Sequence, residues 1–286
     1  MKKTFDVAVV GATGVVGEAL LEILSERKFP FNKVYALASK KSVGKTVNFN
    51  NKQLDVDNLE NFDFSSVKLA LFSAGGDVSA KYAPLAASAG CIVIDNTSKF
   101  RYEDDIPLVV PEVNNERIAD YSNRGIIANP NCSTIQMVVA LKPIYDEVGI
   151  SRINVATYQA VSGAGKSAIE DLAKHSVDML SGRATKSKNT NIEIAFNAVP
   201  QIDQFESNGY TKEEMKMVWE TKKILNDESI AVNPTAVRVP IFFGHSEAIH
   251  IETVEKISVE NVRKLLRKAN GVSLLDNVVK NKYPTP

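Results

Sequence analysis

Phe5-Asp-Val-Ala-Val-Val-Gly-Ala-Thr-Gly-Val-Val-Gly17 is the stretch that decides the fold. Phe5–Val10 is apolar at consecutive positions, as a strand buried on both faces is, and Val15–Glu26 carries apolar residues at helical spacing. Between them lies a GxxGxxG turn formed by Gly11, Gly14 and Gly17. Strand, glycine turn and helix in that order form a dinucleotide fingerprint. The glycines allow a tight turn and close approach of a pyrophosphate, whose charge sits at the helix N-terminus. Gly11, Thr13, Gly14, Val15 and Val16 are therefore expected to contact the cofactor. The next strand, Lys33–Ser39, tests which cofactor. An NAD site usually places an acid at its end, to bind the ribose 2′-hydroxyl. Here the strand runs into Ser39-Lys-Lys-Ser42, with two cations and two hydroxyls, so Ser39, Lys41 and Ser42 point to a 2′-phosphate and NADP.

Working outward, Val67–Phe72, Cys91–Ile94 and Ile126–Ala128 read as further buried strands, and Val78–Ala89 as an alanine-rich helix. Alternating strands and helices predict an α/β, Rossmann-like parallel sheet covered on both sides, over residues 1–129. Beyond Asn129 the pattern changes. A helix over Thr134–Glu147, a strand over Arg152–Val161 and helices over Lys166–Leu180 and Lys212–Leu225 are followed by two long strands. These are Ala236–Phe243 and Ser246–Glu255, read as antiparallel, with a helix over Val259–Ala269 after them. The spacing predicts a second, α+β domain over residues 130–286.

Lys plus Arg and Asp plus Glu each total 34, so the net charge is zero. A nucleic acid or an anionic membrane therefore finds no electrostatic footprint, and a phosphate-bearing ligand needs a local pocket. No run approaches the roughly 18 apolar residues of a membrane helix. The two lysines at the N-terminus precede an apolar run, but Asp6 interrupts it, which suits a strand rather than a cleaved leader. Two cysteines, Cys91 and Cys132, make no disulfide framework and no metal-ligand spacing, so no metal is expected and a reducing cytoplasm is the simplest compartment.

Cys132 stands in Asn129-Pro-Asn-Cys-Ser-Thr134, between a strand and a long helix. A thiol at a helix N-terminus feels the positive end of the dipole, which favours the thiolate. Cys91 leads into an apolar strand and reads as a buried, inert thiol. Of the three histidines, His175 reads as a solvated or boundary residue and His250 as one packed in a sheet. His245 follows Pro240-Ile-Phe-Phe-Gly244 at a strand end, and spacing favours it only slightly over His250. Ser162-Gly-Ala-Gly-Lys-Ser167 fails as a phosphate-binding P-loop because Ala160 stands where the pattern needs glycine. A helix start whose amides face a phosphate or a nicotinamide amide is still open, at Ser162 and Gly163.

GATGVVG, SKFR, NPNCST, YQAVSGAGK and RVPIFFGHSE occur in that order, and with them the chain resembles the bacterial aspartate-β-semialdehyde dehydrogenases from Val7 to its last four residues. The resemblance implies a Cys132 nucleophile, a His245 acid/base and a Gln159 that orients the substrate. It implies Arg238 on the substrate carboxylate, Glu213 on its amino group, and Arg101 with Lys216 on the phosphate. Without it, each charged residue of this set would read as an ordinary surface charge. It also implies NADP-dependent reductive dephosphorylation of L-4-aspartyl phosphate to L-aspartate 4-semialdehyde through a cysteine thioester, in a cytoplasmic homodimer or homotetramer. The family serves lysine (through diaminopimelate), threonine, methionine and isoleucine synthesis. Two departures stand out. Lys41 replaces an arginine common in the family, and the family's chain continues past Tyr-Pro-Thr-Pro286 into a strand and a helix that return to the cofactor domain. An N-acetyl-glutamyl-phosphate reductase and a truncated, inactive NADP-binding regulatory homologue are the competing readings.

Overall fold

Residues 4–183 and 192–286 are described by the computed structural model, so the two lysines ahead of the first strand lie outside the described residues. The chain divides into unit 1, Met1–Pro130, and unit 2, Asn131–Pro286.

Unit 1 runs β1 (Phe5–Val10), α1 (Val15–Glu26), β2 (Phe31–Ala38), β3 (Thr46–Phe49), β4 (Lys52–Asn58), β5 (Leu69–Phe72), α2 (Gly76–Ser88), β6 (Ile92–Asp95), α3 (Pro111–Asn114) and β7 (Ile126–Ala128). They build a seven-stranded sheet in the order β3-β4-β2-β1-β5-β6-β7. All neighbours are parallel except β3 and β4. Val7 to Val10 are wholly buried, which is why β1 is apolar at every position there. Val7 and Val9 pack with Leu21 and Leu24 of α1 and with Val34 and Ala36 of β2. The chain leaves β1 towards β2 on one side and returns at β5 on the other. The crevice at the carboxyl ends of β1 and β5 is thus the topological switch point where α/β sheets bind ligands.

Unit 2 runs α4 (Cys132–Val148), β8 (Ile150–Gln159), α5 (Lys166–Leu180), α6 (Lys212–Leu225), β9 (Ala231–Arg238), β10 (His245–Thr253) and α7 (Val259–Lys268). Its sheet has the order β10-β8-β9, with β10 antiparallel and β9 parallel to β8. Met137, Leu141 and Ile144 of α4 pack with Ile153 and Val155 of β8 and with Met217 of α6. The ends of all three strands carry polar residues: Gln159 closes β8, Arg238 closes β9, and His245 opens β10 opposite Gln159.

Three expectations need correcting, and one hairpin stands where none is expected. The β3–β4 hairpin follows β2, and Asn50 and Asn51 turn it with positive φ, a conformation asparagine tolerates. The strand expected at Ala236–Phe243 lies instead at Ala231–Arg238. Pro234, which reads as a strand breaker, is accommodated because β9 is an edge strand. β9 runs parallel to the central β8 and β10 antiparallel to it, so β9 and β10 run antiparallel to each other. His175, expected to be solvated, is 1% exposed on the inner face of α5, whereas His250, expected to be packed, is exposed on β10.

Candidate active site

The site in unit 2 begins at the N-terminus of α4. Asn131 is its N-cap, and its Oδ1 accepts from the backbone N–H groups of Ser133 (3.0 Å) and Thr134 (3.3 Å). That cap fixes where the helix starts, and Cys132 is its first residue, with an exposed side chain. Cys91, by contrast, is buried, and burial pushes its thiol up to about 12.

Helix α6 supplies the carboxylates. Its start is set by a capping box between Thr211 and Glu214, and Glu214 Oε1 also accepts from the Ala236 N–H (2.9 Å), tying α6 to the strand that ends in Arg238. Glu213, 6% exposed, accepts from Asn131 Nδ2 (2.9 Å) and Gln159 Nε2 (3.4 Å) at Oε1, and from Lys216 Nζ (2.9 Å) at Oε2. Burial pulls its pKa up, but the Lys216 charge and the donated hydrogen bonds outweigh it and hold it below the ordinary range. Lys216 also donates to Asp203 (3.0 Å); burial would lower its pKa, and the two carboxylates raise it instead.

Arg238 and His245 both bond the backbone of one residue, Ala160. Arg238 Nη1 donates to the Ala160 carbonyl (2.6 Å), and the Ala160 N–H donates to His245 Nδ1 (3.0 Å). Since Nδ1 accepts, the neutral imidazole carries its proton on Nε2, the nitrogen left for chemistry. Burial lowers the His245 pKa, opposed by the Gly244 backbone and assisted by the Arg238 charge. Burial also lowers the Arg238 pKa, opposed by Glu213 and Cys132, the two groups whose negative charge it feels. Gly163 lies against both: a Cβ there would stand 3.3 Å from Arg238 Nη1 and 3.6 Å from His245 Nε2.

Unit 1 carries the glycine turn. Gly11 has φ +88°, and a Cβ on it would come within 2.9 Å of the Ala74 N, while one on Gly17 would come within 2.1 Å of the Gly11 carbonyl. Gly14 caps α1 without a side-chain hydrogen bond, so the helix's first amides are not taken up by a capping side chain. These features fit a dinucleotide pyrophosphate. Thr13, Val15 and Val16 belong to the same turn, and Ser39, Lys41 and Ser42 form a 3₁₀ turn with its N-cap directly after β2. Arg101 is also in unit 1, 6% exposed, donating to the Asn96 carbonyl (2.9 Å). The Asn96 turn is set by the buried Asp95, which accepts from Ser79 Oγ and from Thr97 Oγ1, each at 2.8 Å.

Unit 2 thus brings Cys132, Gln159, Glu213, Lys216, Arg238, His245, Ser162 and Gly163 into one neighbourhood of α4, α6, β8, β9 and β10. Unit 1 holds Arg101 and the other cofactor candidates. Arg101, Glu213 and Lys216 are not the ordinary surface charges their sequence context implies; all three are largely enclosed. Asn131, Asp203, Glu220 and the Ala160 backbone escaped the sequence reading. Asn131 had a signal, a helix-capping asparagine before a helical run; Asp203, in an irregular loop, had none.

The sequence matches the semialdehyde dehydrogenase NAD binding domain over residues 6–121 and the semialdehyde dehydrogenase dimerisation domain over residues 141–286. It is 62% identical over 285 residues to the aspartate-semialdehyde dehydrogenase of Legionella pneumophila, covering 100% of this chain and 82% of that one. The chain belongs to the aspartate-semialdehyde dehydrogenase family. Aspartate semialdehyde dehydrogenase II of Vibrio cholerae, solved with ASA, is 61% identical with a TM-score of 0.94, over 95% of this chain and 81% of that one. The aspartate semialdehyde dehydrogenase of Candida albicans, solved with NADP, is 26% identical with a TM-score of 0.71, over 93% of this chain and 76% of that one. As a member of this family the chain is an oxidoreductase of amino-acid biosynthesis that uses a nicotinamide dinucleotide. No helix among the described residues is long and apolar enough to cross a membrane, and no metal-ligand cluster occurs among them.

Proposed function

We propose that this chain interconverts L-4-aspartyl phosphate and L-aspartate β-semialdehyde, with NADP and inorganic phosphate, through a thioester on Cys132. The observation that carries the reading is the exposed Cys132 at the start of α4, in one unit with the Arg238 cation and the Glu213 carboxylate. A cation for an α-carboxylate and an anion for an α-ammonium suit a free amino acid. An N-acetylated substrate would bring no charge for Glu213, which favours the aspartyl substrate over N-acetyl-glutamyl phosphate.

In the reducing direction the Cys132 thiolate attacks the acyl carbon, and the bond from that carbon to the phosphate oxygen breaks as phosphate leaves. The helix N-terminus and the Arg238 charge favour the thiolate. Arg238 holds the α-carboxylate, Glu213 the ammonium, and Gln159 orients the chain beside them. Lys216 and Arg101 receive the departing phosphate. When bound, the nicotinamide supplies the hydride that reduces the thioester carbon. His245, with its proton on Nε2, donates to the oxyanion formed there and takes that proton back as the carbon–sulfur bond breaks and the aldehyde leaves. Covalent catalysis divides one difficult acyl reduction into easier steps.

NADP is supported by the absence of an acid in the turn after β2, and by Ser39, Lys41 and Ser42 in its place. A homodimer is the assembly in this reading, supported by the match to a dimerisation domain. The product would feed lysine (through diaminopimelate), threonine, methionine and isoleucine synthesis in the cytoplasm, whose reducing conditions suit an enzyme that depends on a free thiol. The test is NADP⁺ reduction by L-aspartate β-semialdehyde. Turnover that requires phosphate and disappears in Cys132→Ser is the expected result. Turnover indifferent to phosphate, or surviving in Cys132→Ser, would overturn the thioester reading.

A further inference from the structure

Every polar group of Asn131 is engaged. Its carbonyl accepts from the Ile135 N–H (2.9 Å) as the first turn of α4, and its Oδ1 caps Ser133 and Thr134. Its Nδ2 donates to Glu213, and its backbone N–H donates to Glu220 Oε2 at 2.6 Å, across 89 positions of sequence. Glu213 and Glu220 are seven residues apart on α6, two turns along one face, and Glu220 is wholly buried there. One helix therefore sends two carboxylates to one asparagine, the residue directly before the reactive cysteine.

We infer that Glu220 is a positioning residue: by holding the Asn131 backbone it fixes the Cys132 sulfur relative to the Glu213 carboxylate, and so sets how strictly the site requires an amino group on its substrate. This rests on the aspartyl reading above, in which Cys132 takes the acyl carbon and Glu213 the ammonium. The carbon chain between those groups has a fixed length, so a rigid span lets both ends be satisfied together. Glu220 acts through the Asn131 backbone. It braces a residue that both caps α4 and donates to Glu213, and a hydrogen bond to a backbone amide fixes position where a bond to a rotatable side chain would not. Losing that brace lets Glu213 and the thiol shift independently, and displacement on the order of 1 Å is enough to cost reaction rate.

The test compares L-aspartate β-semialdehyde with succinate semialdehyde, which has the same carbon chain without the amino group, in the full chain. Glu220→Asp shortens the reach and Glu220→Ala removes the acceptor; Glu220→Gln keeps an oxygen for the Asn131 N–H. The account expects the preference for the amino aldehyde, as a ratio of kcat/KM values, to fall about tenfold in the Asp and Ala variants. It expects the Gln variant to stay within about twofold of wild type. KM for the amino aldehyde should rise while KM for phosphate and for NADP⁺ stays put, a split that a general loosening of the fold would not give. If Ala does not fold, Asp and Gln carry the comparison. Equal losses on both aldehydes, or an unchanged ratio in the Asp variant, would overturn the inference while leaving the proposed reaction standing. A wild-type chain that turns over neither aldehyde would overturn the reaction itself, and this inference with it.

Discussion

Two enclosed carboxyls in unit 2 have opposite surroundings. Glu213 on α6 accepts from Asn131, Gln159 and Lys216 and is held below the ordinary carboxylate range despite its burial. Glu247, two residues beyond His245 on β10 and opposite Thr157, has both oxygens sealed from solvent with no hydrogen-bond partner among the described residues. Burial alone pushes it up to about 8. Burial sets the cost of a charge, but donors and a cation decide whether the charge persists. Glu213 is therefore a standing anion able to receive a cation, and Glu247 is a neutral acid near pH 7.

The sharpest way to break that contrast is Glu213→Gln, which keeps the shape and removes the charge. Removing one partner from an enclosed charge pair costs roughly 2–5 kcal/mol, so kcat/KM for the amino aldehyde should fall about 100-fold or more. Succinate semialdehyde, with no ammonium to lose, should be far less affected. Steady-state kinetics on the two substrates checks this.

Glu247→Gln should act in the other direction and on stability. The folded-state pKa is raised above the unfolded value of 4.5. Between that value and about 8 the folded chain keeps a proton the unfolded chain has released, so stability falls as pH rises through this window. The neutral amide has no such slope. The variant should melt higher than wild type at pH 8, by roughly 4 °C or more, and differ little at pH 4.5. Melting curves at the two pH values decide it.

A smaller effect belongs to Glu213 itself. Its lowered pKa contributes stability that is present above pH 4.5 and lost as pH falls through the folded value. Denaturant midpoints of wild type should therefore exceed those of Glu213→Gln at pH 6, and the gap should close in acid. A gap that persists below pH 3 would place the stabilisation elsewhere than in the charge.

Sequence patterns made one half of this molecule more readable than the other. β1 and α1 fall where continuous burial and the glycine turn put them, because both signals are local. The β3–β4 hairpin was illegible for a local reason too: Thr-Val-Asn-Phe is half polar and Lys-Gln-Leu-Asp-Val-Asp-Asn mostly polar, as suits two strands at the sheet's exposed end. β9 was misplaced because Pro234 marks a break unless the strand is known to be an edge, and edge status is a tertiary fact. In the candidate site, Cys132 at a helix start could be read from NPNCST. The meeting of Asn131 with Glu213 and Glu220 spans 82 and 89 positions, and no spacing rule reaches that far. Only resemblance drew Glu213 out of the sequence, and nothing drew out Glu220.

The most direct test of the account mixes enzyme, NADP⁺ and L-aspartate β-semialdehyde with no phosphate present. If Cys132 forms a thioester, oxidation should proceed once per site and stall, giving a burst of NADPH equal to the number of sites and an acyl group on the Cys132 peptide after acid quench. Phosphate added afterwards should release the acyl group and restart turnover. Steady turnover without phosphate, or a quenched chain with Cys132 unmodified, would contradict it.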